Sequence, residues 1–420
     1  DVSAFAQAEA TNTGAATNGG FGAFLQVGVA KEDQPHYLRL IARPPPVTGE
    51  WRATLDLAGG ELRFAVIIEG EPPRSRARLC NGGECQPFSR VAWTGDSLVL
   101  DLADYAASIS VVLRQDSLIG VYHNVGRRGP RSIPFRADRG RWAFDRGSAA
   151  FYGRWDAWFL NGFDQSPRIL EFHPGAQGLE GTVISNAGDY GTFWGTVVGD
   201  SFAIAHFDGS YVYLLAGRLE GDTLRGTFHA GLRARTSFVA TRSRGGRHLT
   251  PPGEVTRADT ATPFGWRFPD LEGRLVEAGQ FRGRVVLLDL FGSWCPNCHD
   301  AAPALVDLYR RYHGQGLDVV GVAFEVAGDT VHDAPLVRRF RDKFAIPFPL
   351  LLGGVSETDA VGAALPQLDG FTAYPTPVFI DRHGRVRHIH AGFYGAATGS
   401  LERALREELA REVERLLGEQ

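Results

Sequence analysis

The stretch Val285-Val286-Leu287-Leu288-Asp289-Leu290-Phe291-Gly292-Ser293-Trp294-Cys295-Pro296-Asn297-Cys298-His299 decides how this chain is read. Its first seven residues are apolar except for Asp289, with Arg282-Gly283-Arg284 before them and Gly292-Ser293 after. Such a run reads as a strand buried on both faces. From Asp300 to His313 the apolar residues Ala301, Leu305, Leu308 and Tyr312 recur at helical spacing, and Gly314 ends the segment. Cys295 is therefore expected at a helix N-terminus, where unpaired N–H groups and the positive dipole end stabilise a thiolate. Cys298, one turn further in, is placed to attack a mixed disulfide on Cys295. With His299 the pair also spells C-x-x-C-H, the attachment motif of c-type haem. Against haem, the chain has no Met for an axial ligand, and no spacing marks a second His. A zinc site would need further ligands that no second C-x-x-C or H-x-x-x-H supplies. The redox reading calls for no metal and no cofactor.

More motifs flank the pair. Phe268-Pro269-Asp270-Leu271-Glu272-Gly273 and Gly283-Arg284-Val285-Val286-Leu287-Leu288 precede it. Val319-Val320-Gly321-Val322-Ala323-Phe324-Glu325 and Tyr374-Pro375-Thr376-Pro377-Val378-Phe379-Ile380-Asp381 follow it. Together with W-C-x-x-C they make residues 262–420 resemble the thioredoxin superfamily, and within it the TlpA/ResA-like extracytoplasmic thiol–disulfide oxidoreductases. The resemblance implies an α/β thioredoxin-like fold with Cys295 and Cys298 as the reactive pair. It also implies Pro375 at the family's cis position, turning the Tyr374 backbone toward an incoming peptide with Thr376 beside it. The other reading of Pro375 is a trans proline opening an edge strand. Trp294 would shield one side of the pair, or else simply pack in the core.

Asp289 stands where thioredoxin carries a buried acid and TlpA-like proteins usually have Asn. Burial raises a carboxyl pKa, so Asp289 is a candidate to take the proton of Cys298; the alternative is a satisfied acid at a strand end. One departure is plain. TlpA/ResA-like proteins often carry Glu three residues after the second cysteine, and here that position is Ala301, preceded by Asp300. Asp289 or Glu325 is then the candidate to tune the pair. His299 is either a tuning group that stabilises the Cys295 thiolate when protonated or a solvated surface histidine.

The remaining two of the four cysteines sit in Cys80-Asn81-Gly82-Gly83-Glu84-Cys85, where Asn-Gly-Gly reads as a tight turn. A structural disulfide across that turn fits an oxidising, extracytoplasmic compartment such as a periplasm or cell envelope. The alternative is an auxiliary redox pair feeding Cys295. A net charge of −4 gives no footprint for nucleic acid, and no run approaches the ~20 apolar residues of a membrane span. Residues 1–22, rich in Ala, Thr, Asn and Gly, read as a flexible leader or tether.

The 240 or so residues in front of the redox segment are strand-like and repetitive. Gly49-Glu50-Trp51-Arg52-Ala53 is echoed by Gly153-Arg154-Trp155-Asp156-Ala157, and Gly95-Asp96-Ser97 by Gly199-Asp200-Ser201, both at a separation of 104. Asp116-Ser117-Leu118-Ile119-Gly120 returns as Asp222-Thr223-Leu224-Arg225-Gly226 at 106, and Phe135-Arg136-Ala137 as Phe238-Val239-Ala240 at 103. One order and one period predict two copies, 23–145 and 146–242, each of six to eight antiparallel strands closed as a barrel or folded as a sandwich. One larger continuous sheet is the alternative. Residues 243–261, with their Gly and Pro, read as a linker. The aromatics Tyr190, Phe193, Trp194, Phe202, Phe207, Tyr211 and Tyr213 are expected in the barrel core, the other reading being a ligand cleft with Asp208-Gly209-Ser210.

The fold class expected is thus multidomain: N-terminal all-β tandem repeats plus a C-terminal thioredoxin-like domain. The function expected is an extracytoplasmic thiol–disulfide oxidoreductase, in the reductase direction, acting on a protein thiol or disulfide with a separate redox donor. The contrary reading is a non-catalytic binding or structural subunit whose β repeats dock a partner. An exposed, titratable Cys295 would favour the enzyme, and a buried, inert pair the subunit.

Overall fold

The computed structural model describes Phe24–Val27, His36–Arg39 and residues 46–419, apart from 95, 127–128 and 246–247. The expected leader, 1–22, lies outside the described residues. Phe24–Val27 and His36–Arg39 pair as an antiparallel hairpin.

Each β repeat forms one nine-stranded antiparallel sheet, which rules out a single continuous sheet and exceeds the six to eight strands expected. In the second, the strands run in spatial order Gly188–Asp189, Gly178–Ser185, Asp164–Gly175, Gly153–Asn161, Ala234–Arg242, Thr223–Ala230, Val212–Glu220, Ser201–Phe207 and Phe193–Val198. Phe193–Val198 then returns to pair with Gly178–Ser185, closing a barrel that leaves only the two-residue strand Gly188–Asp189 outside the ring. The first repeat, from Gly49 to Arg139, copies this order strand for strand. Its equivalents of the closing pair, Arg76–Asn81 and Arg90–Thr94, do not form a ladder, so this sheet is a half-barrel.

The echoed sequences carry the same physical device. Trp51 and Trp155 are fully buried, and each donates its indole N–H to the carbonyl four residues earlier, Val47 at 2.8 Å and Phe151 at 2.9 Å. Over each indole lies an arginine from the last strand of the repeat, Arg139 at 4.4 Å and Arg242 at 3.9 Å from the ring centre. Arg139 also donates to the Pro46 and Thr48 carbonyls, and Arg242 to those of Ala150 and Tyr152. Gly120 and Gly226, the last residues of another echo, are equally constrained. A Cβ on either would lie 1.9 Å or 2.2 Å from the carbonyl oxygen of Ser110 or Ala216 on the neighbouring strand.

The open half-barrel is completed by its partner. Ala205, Phe207, Val212 and Leu214, on the outer face of the second barrel, join the core made by Trp51, Leu62 and Phe64 of the first. Phe207 packs 4.8 Å from Phe64 and edge-on to Tyr122 at 5.0 Å. Of the aromatics singled out above, Phe193 and Phe202 fill the second barrel, Phe207 fills the first, and Tyr211 lies outside both cores.

In the rear segment, five strands run in the order Leu350–Val355, Leu317–Glu325, Val285–Phe291, Thr376–Ile380 and Val386–Ile389. The first three are parallel and the last two antiparallel, the mixed sheet of a thioredoxin-like fold. Val285–Phe291 is central and buried at every residue. Helices Pro296–Tyr312, Thr330–Phe344 and Ser400–Gly418 cover the sheet, the last through its stripe Leu405, Leu409, Val413 and Leu416. The stretch read as a linker is only partly one: Pro252–Val255 is a short helix, and Arg257–Ala258 pairs with Leu368–Asp369. Among the described residues, no helix is long and apolar enough to cross a membrane.

Candidate active site

Strand Val285–Phe291 delivers the chain to Gly292-Ser293-Trp294, and Cys295 becomes the N-cap of helix Pro296–Tyr312. The helix starts four residues before the apolar periodicity does, because Pro296 at its first position has the φ a helix needs and no N–H to leave unpaired. Cys298 sits one turn in, its N–H bonded to Cys295 O at 3.0 Å. Both thiols are reduced and only 2% exposed. Cys295 Sγ donates to Tyr374 O at 3.5 Å, across the cis Tyr374–Pro375 bond. Burial, then a hydrogen bond and charge from Cys295 and the charge of Asp289, raise the Cys298 thiol well above its ordinary value.

Asp289 lies beneath the pair in the central strand. Its Oδ1 is buried without a hydrogen-bond partner, and burial pushes its carboxyl up to about 7. Glu325 is 1% exposed and also pushed up to about 7 by burial. It accepts from Ser293 N at 2.7 Å and Ser293 Oγ at 2.8 Å, which fixes the turn leading into the cysteines. Trp294 donates to Phe324 O at 2.9 Å and meets Tyr374 edge-on at 5.5 Å. Tyr374 and Thr376 are buried, with Tyr374 Oη donating to Ser356 O and Thr376 Oγ1 to Ala373 O. Their side chains therefore brace the loop from within, and the group that faces Cys295 is the Tyr374 carbonyl.

His299 is neither solvated nor cationic, contrary to both readings of it. It is buried, with Nε2 2.7 Å from Ser293 O and Nδ1 2.9 Å from Lys343 Nζ. An ammonium only donates, so Nδ1 accepts and Nε2 carries the proton. Burial, then the Lys343 charge, holds the imidazolium pKa down to about 4. Lys343 in turn bonds Asp104 of the first repeat at 2.7 Å. With both nitrogens engaged inside the chain, His299 has none to offer a haem iron.

The sequence did not mark how the β repeats meet this site. Asn297, between the cysteines, donates to Asp189 O at 2.9 Å and to Phe393 O at 3.2 Å, and its Oδ1 accepts from Tyr211 Oη at 3.5 Å. Ser210 Oγ donates to Trp294 O at 3.3 Å. The Asp189 carboxylate caps Gly191 N at 2.8 Å and Gly395 N at 2.5 Å, joining the second barrel to the thioredoxin-like domain. Loop 208–211 is itself held by the first repeat: Gln86 donates to Asp208 O at 2.5 Å, Tyr122 to Gly209 O at 3.0 Å, and Arg131 to Ser210 O. Asn81, inside the Cys80–Cys85 disulfide loop, exchanges two bonds with the Phe207 backbone. A cleft of about 250 Å³ remains beside the helix N-terminus, lined by Glu84, Asp189, Asp208, Asn297, Asp300 and Lys343 among others. Burial, then neighbouring carboxylates, raises Asp300 well above the ordinary carboxyl range. The one signal available in sequence was Asp208-Gly209-Ser210, placed in a possible cleft but not at the cysteines.

The Redoxin family model matches residues 256–405. Over 124 residues the chain is 30% identical to Thiol-disulfide oxidoreductase ResA of Halalkalibacterium halodurans, covering 29% of this chain and 62% of that protein. Over another 124-residue match it is 32% identical to the ResA of Geobacillus thermodenitrificans, covering 29% and 63%. The chain thus spans a little over three fifths of the length of these relatives. Among solved structures, a putative thiol:disulfide interchange protein DsbE from Chlorobium tepidum is 25% identical, covering 39% of this chain and 98% of that one, with a TM-score of 0.30.

Proposed function

We propose that this chain, whose rear segment carries a Redoxin domain and is related to ResA-type thiol–disulfide oxidoreductases, reduces disulfides through Cys295 and Cys298. The Cys295 thiolate attacks one sulfur of a substrate disulfide; a mixed disulfide forms and the other substrate sulfur leaves as a thiolate. Cys298 then attacks Cys295 Sγ, closing the Cys295–Cys298 disulfide and releasing the second substrate thiol. The substrate gains two electrons and two protons, and a separate dithiol donor restores the pair. Asp289 accepts the Cys298 proton.

The observation that carries this reading is Asp289. An unpartnered carboxylate oxygen in a fully buried strand, with its pKa pushed up to about 7, costs stability and returns no structural bond. It suits a base that must exchange protons near neutrality beside a buried thiol. The buried sulfurs favour the other reading, a docking subunit whose redox pair is inert. Under the enzymatic reading, loop 208–211 shifts to admit substrate, and the β repeats shield the pair between turnovers. The Cys80–Cys85 disulfide supports an extracytoplasmic location.

The deciding experiment equilibrates the whole protein with dithiothreitol or glutathione mixtures, traps free thiols and reads intact mass. A reversible two-electron step confined to Cys295 and Cys298, near the reducing end of the roughly −270 to −120 mV spanned by such proteins, is expected. A pair that never oxidises leaves the docking reading in its place.

A further inference from the structure

Strand Val386–Ile389 is the edge strand of the redox domain's sheet, and it continues into His390, whose N–H bonds Pro377 O at 3.1 Å. Because side chains two apart on a strand share a face, His388 and His390 project to the same side. There they meet Glu408 of helix Ser400–Gly418. One donor atom from each of the three residues lies within 4.8 Å of the others.

Glu408 Oε1 is 3.5 Å from His388 Nε2 and 3.4 Å from His390 Nδ1. Both separations exceed the roughly 2.7–3.2 Å of a well-formed N–H···O bond. They match another geometry. Two donors bound at about 2.0–2.1 Å to a tetrahedral ion stand about 3.3–3.4 Å apart. His388 Nε2 and His390 Nε2 are also buried with no hydrogen-bond partner, and His390 is only 3% exposed. Two buried imidazole nitrogens left this way beside a carboxylate are poorly explained as an ion pair alone.

We propose that His388, His390 and Glu408 form a binding site for a first-row divalent cation, with zinc the best fit. Neutral imidazole and carboxylate suit Zn²⁺, and His388 Nε2 offers the metal a lone pair that no hydrogen bond now uses. Glu408 and His388 are part-exposed, with side-chain exposures of 46% and 29%, so a fourth position is open to water. A bound ion would staple the final helix to the strand beside the one that carries the cis-proline, through the Val378–Ile389 and Phe379–His388 pairs.

The test uses the full-length protein with Cys295 and Cys298 oxidised, so that no thiolate competes for metal. Equilibrium dialysis against Zn²⁺ is expected to give one bound equivalent. Glu408→Gln, which preserves shape, and His388→Ala are each expected to weaken it at least about tenfold. Co²⁺ substituted at the site is expected to show the visible bands of a four-coordinate nitrogen–oxygen site without a thiolate charge-transfer band. Circular dichroism checks that each variant is folded. Failure of the wild type to bind Zn²⁺, or one equivalent retained unweakened in both folded variants, overturns the site and leaves an ordinary histidine–glutamate ion pair.

Discussion

Asn297, the second residue between the two cysteines, donates its side-chain amide to the backbone carbonyl of Asp189 at 2.9 Å. A residue of the redox motif is thereby tied to a strand of the second barrel more than a hundred positions away. Its other contacts, to Phe393 and Tyr211, make it the pin on which the two parts of the chain meet.

Removing that pin is expected to uncover the cysteines. Asn297→Ala deletes donors to two buried carbonyls, worth about 1–3 kcal/mol. If local opening controls access, alkylation of reduced Cys295 should accelerate roughly 5- to 150-fold, read by mass spectrometry under native conditions. An unchanged rate would mean that the thiols are reached by a route independent of the barrel.

Asp289→Asn separates stability from chemistry. The folded-state pKa is about 7 against a reference of 3.8, so the unfolded chain ionises first as pH rises. Between those values the folded state binds the extra proton, and stability falls with rising pH until the folded group also ionises. The neutral amide removes that penalty, so the variant should be more stable at pH 8 by up to about 4 kcal/mol and no more stable at pH 3. Resolution of the mixed disulfide should meanwhile slow on the order of 10²-fold at pH 7, since the proton acceptor is gone. Thermal melts at the two pH values and stopped-flow thiol exchange check both arms.

Lys343→Met is expected to raise the pKa of His299 from about 4, because it removes the positive charge held against Nδ1. Burial, the larger cause, remains, so the value should stay below the ordinary 6.5 of a free imidazole. Imidazole NMR titration reads it directly. A His299 that titrates normally in the wild type would show that the link from Asp104 through Lys343 to Ser293 does not form in solution.

The paired arginines allow an internal comparison. Arg139→Lys and Arg242→Lys each keep the charge but lose the planar fork over tryptophan and its carbonyl bonds. A loss of about 1–3 kcal/mol is expected for each. Arg242 is closer to its ring and stands in the closed barrel, so its replacement should lower the melting temperature more.

Much of this was written along the chain. The apolar run 285–291 reads as a buried strand and Cys295 as the start of a helix, since both follow from local pattern and backbone geometry. The repeat was legible at Trp51 and Trp155 because the same indole, the same carbonyl four residues back and the same covering arginine are needed in each copy. What no local pattern encodes is whether two strands distant in sequence meet. Phe193–Val198 closes its barrel and Arg90–Thr94 does not, and the difference is made good by Phe207 crossing from one repeat into the other. Likewise His299 reads in sequence as a tuning group or a solvated surface histidine, and only its place between Ser293 and Lys343 buries it. Sequence by itself determined the elements, their faces and the placing of the C-x-x-C pair at a helix start, because those depend on neighbours along the chain. Tertiary structure alone decided the contacts of loop 208–211 with Trp294 and Asn297, the burial of His299 and the meeting of His388, His390 and Glu408, because desolvation and contact depend on neighbours in space.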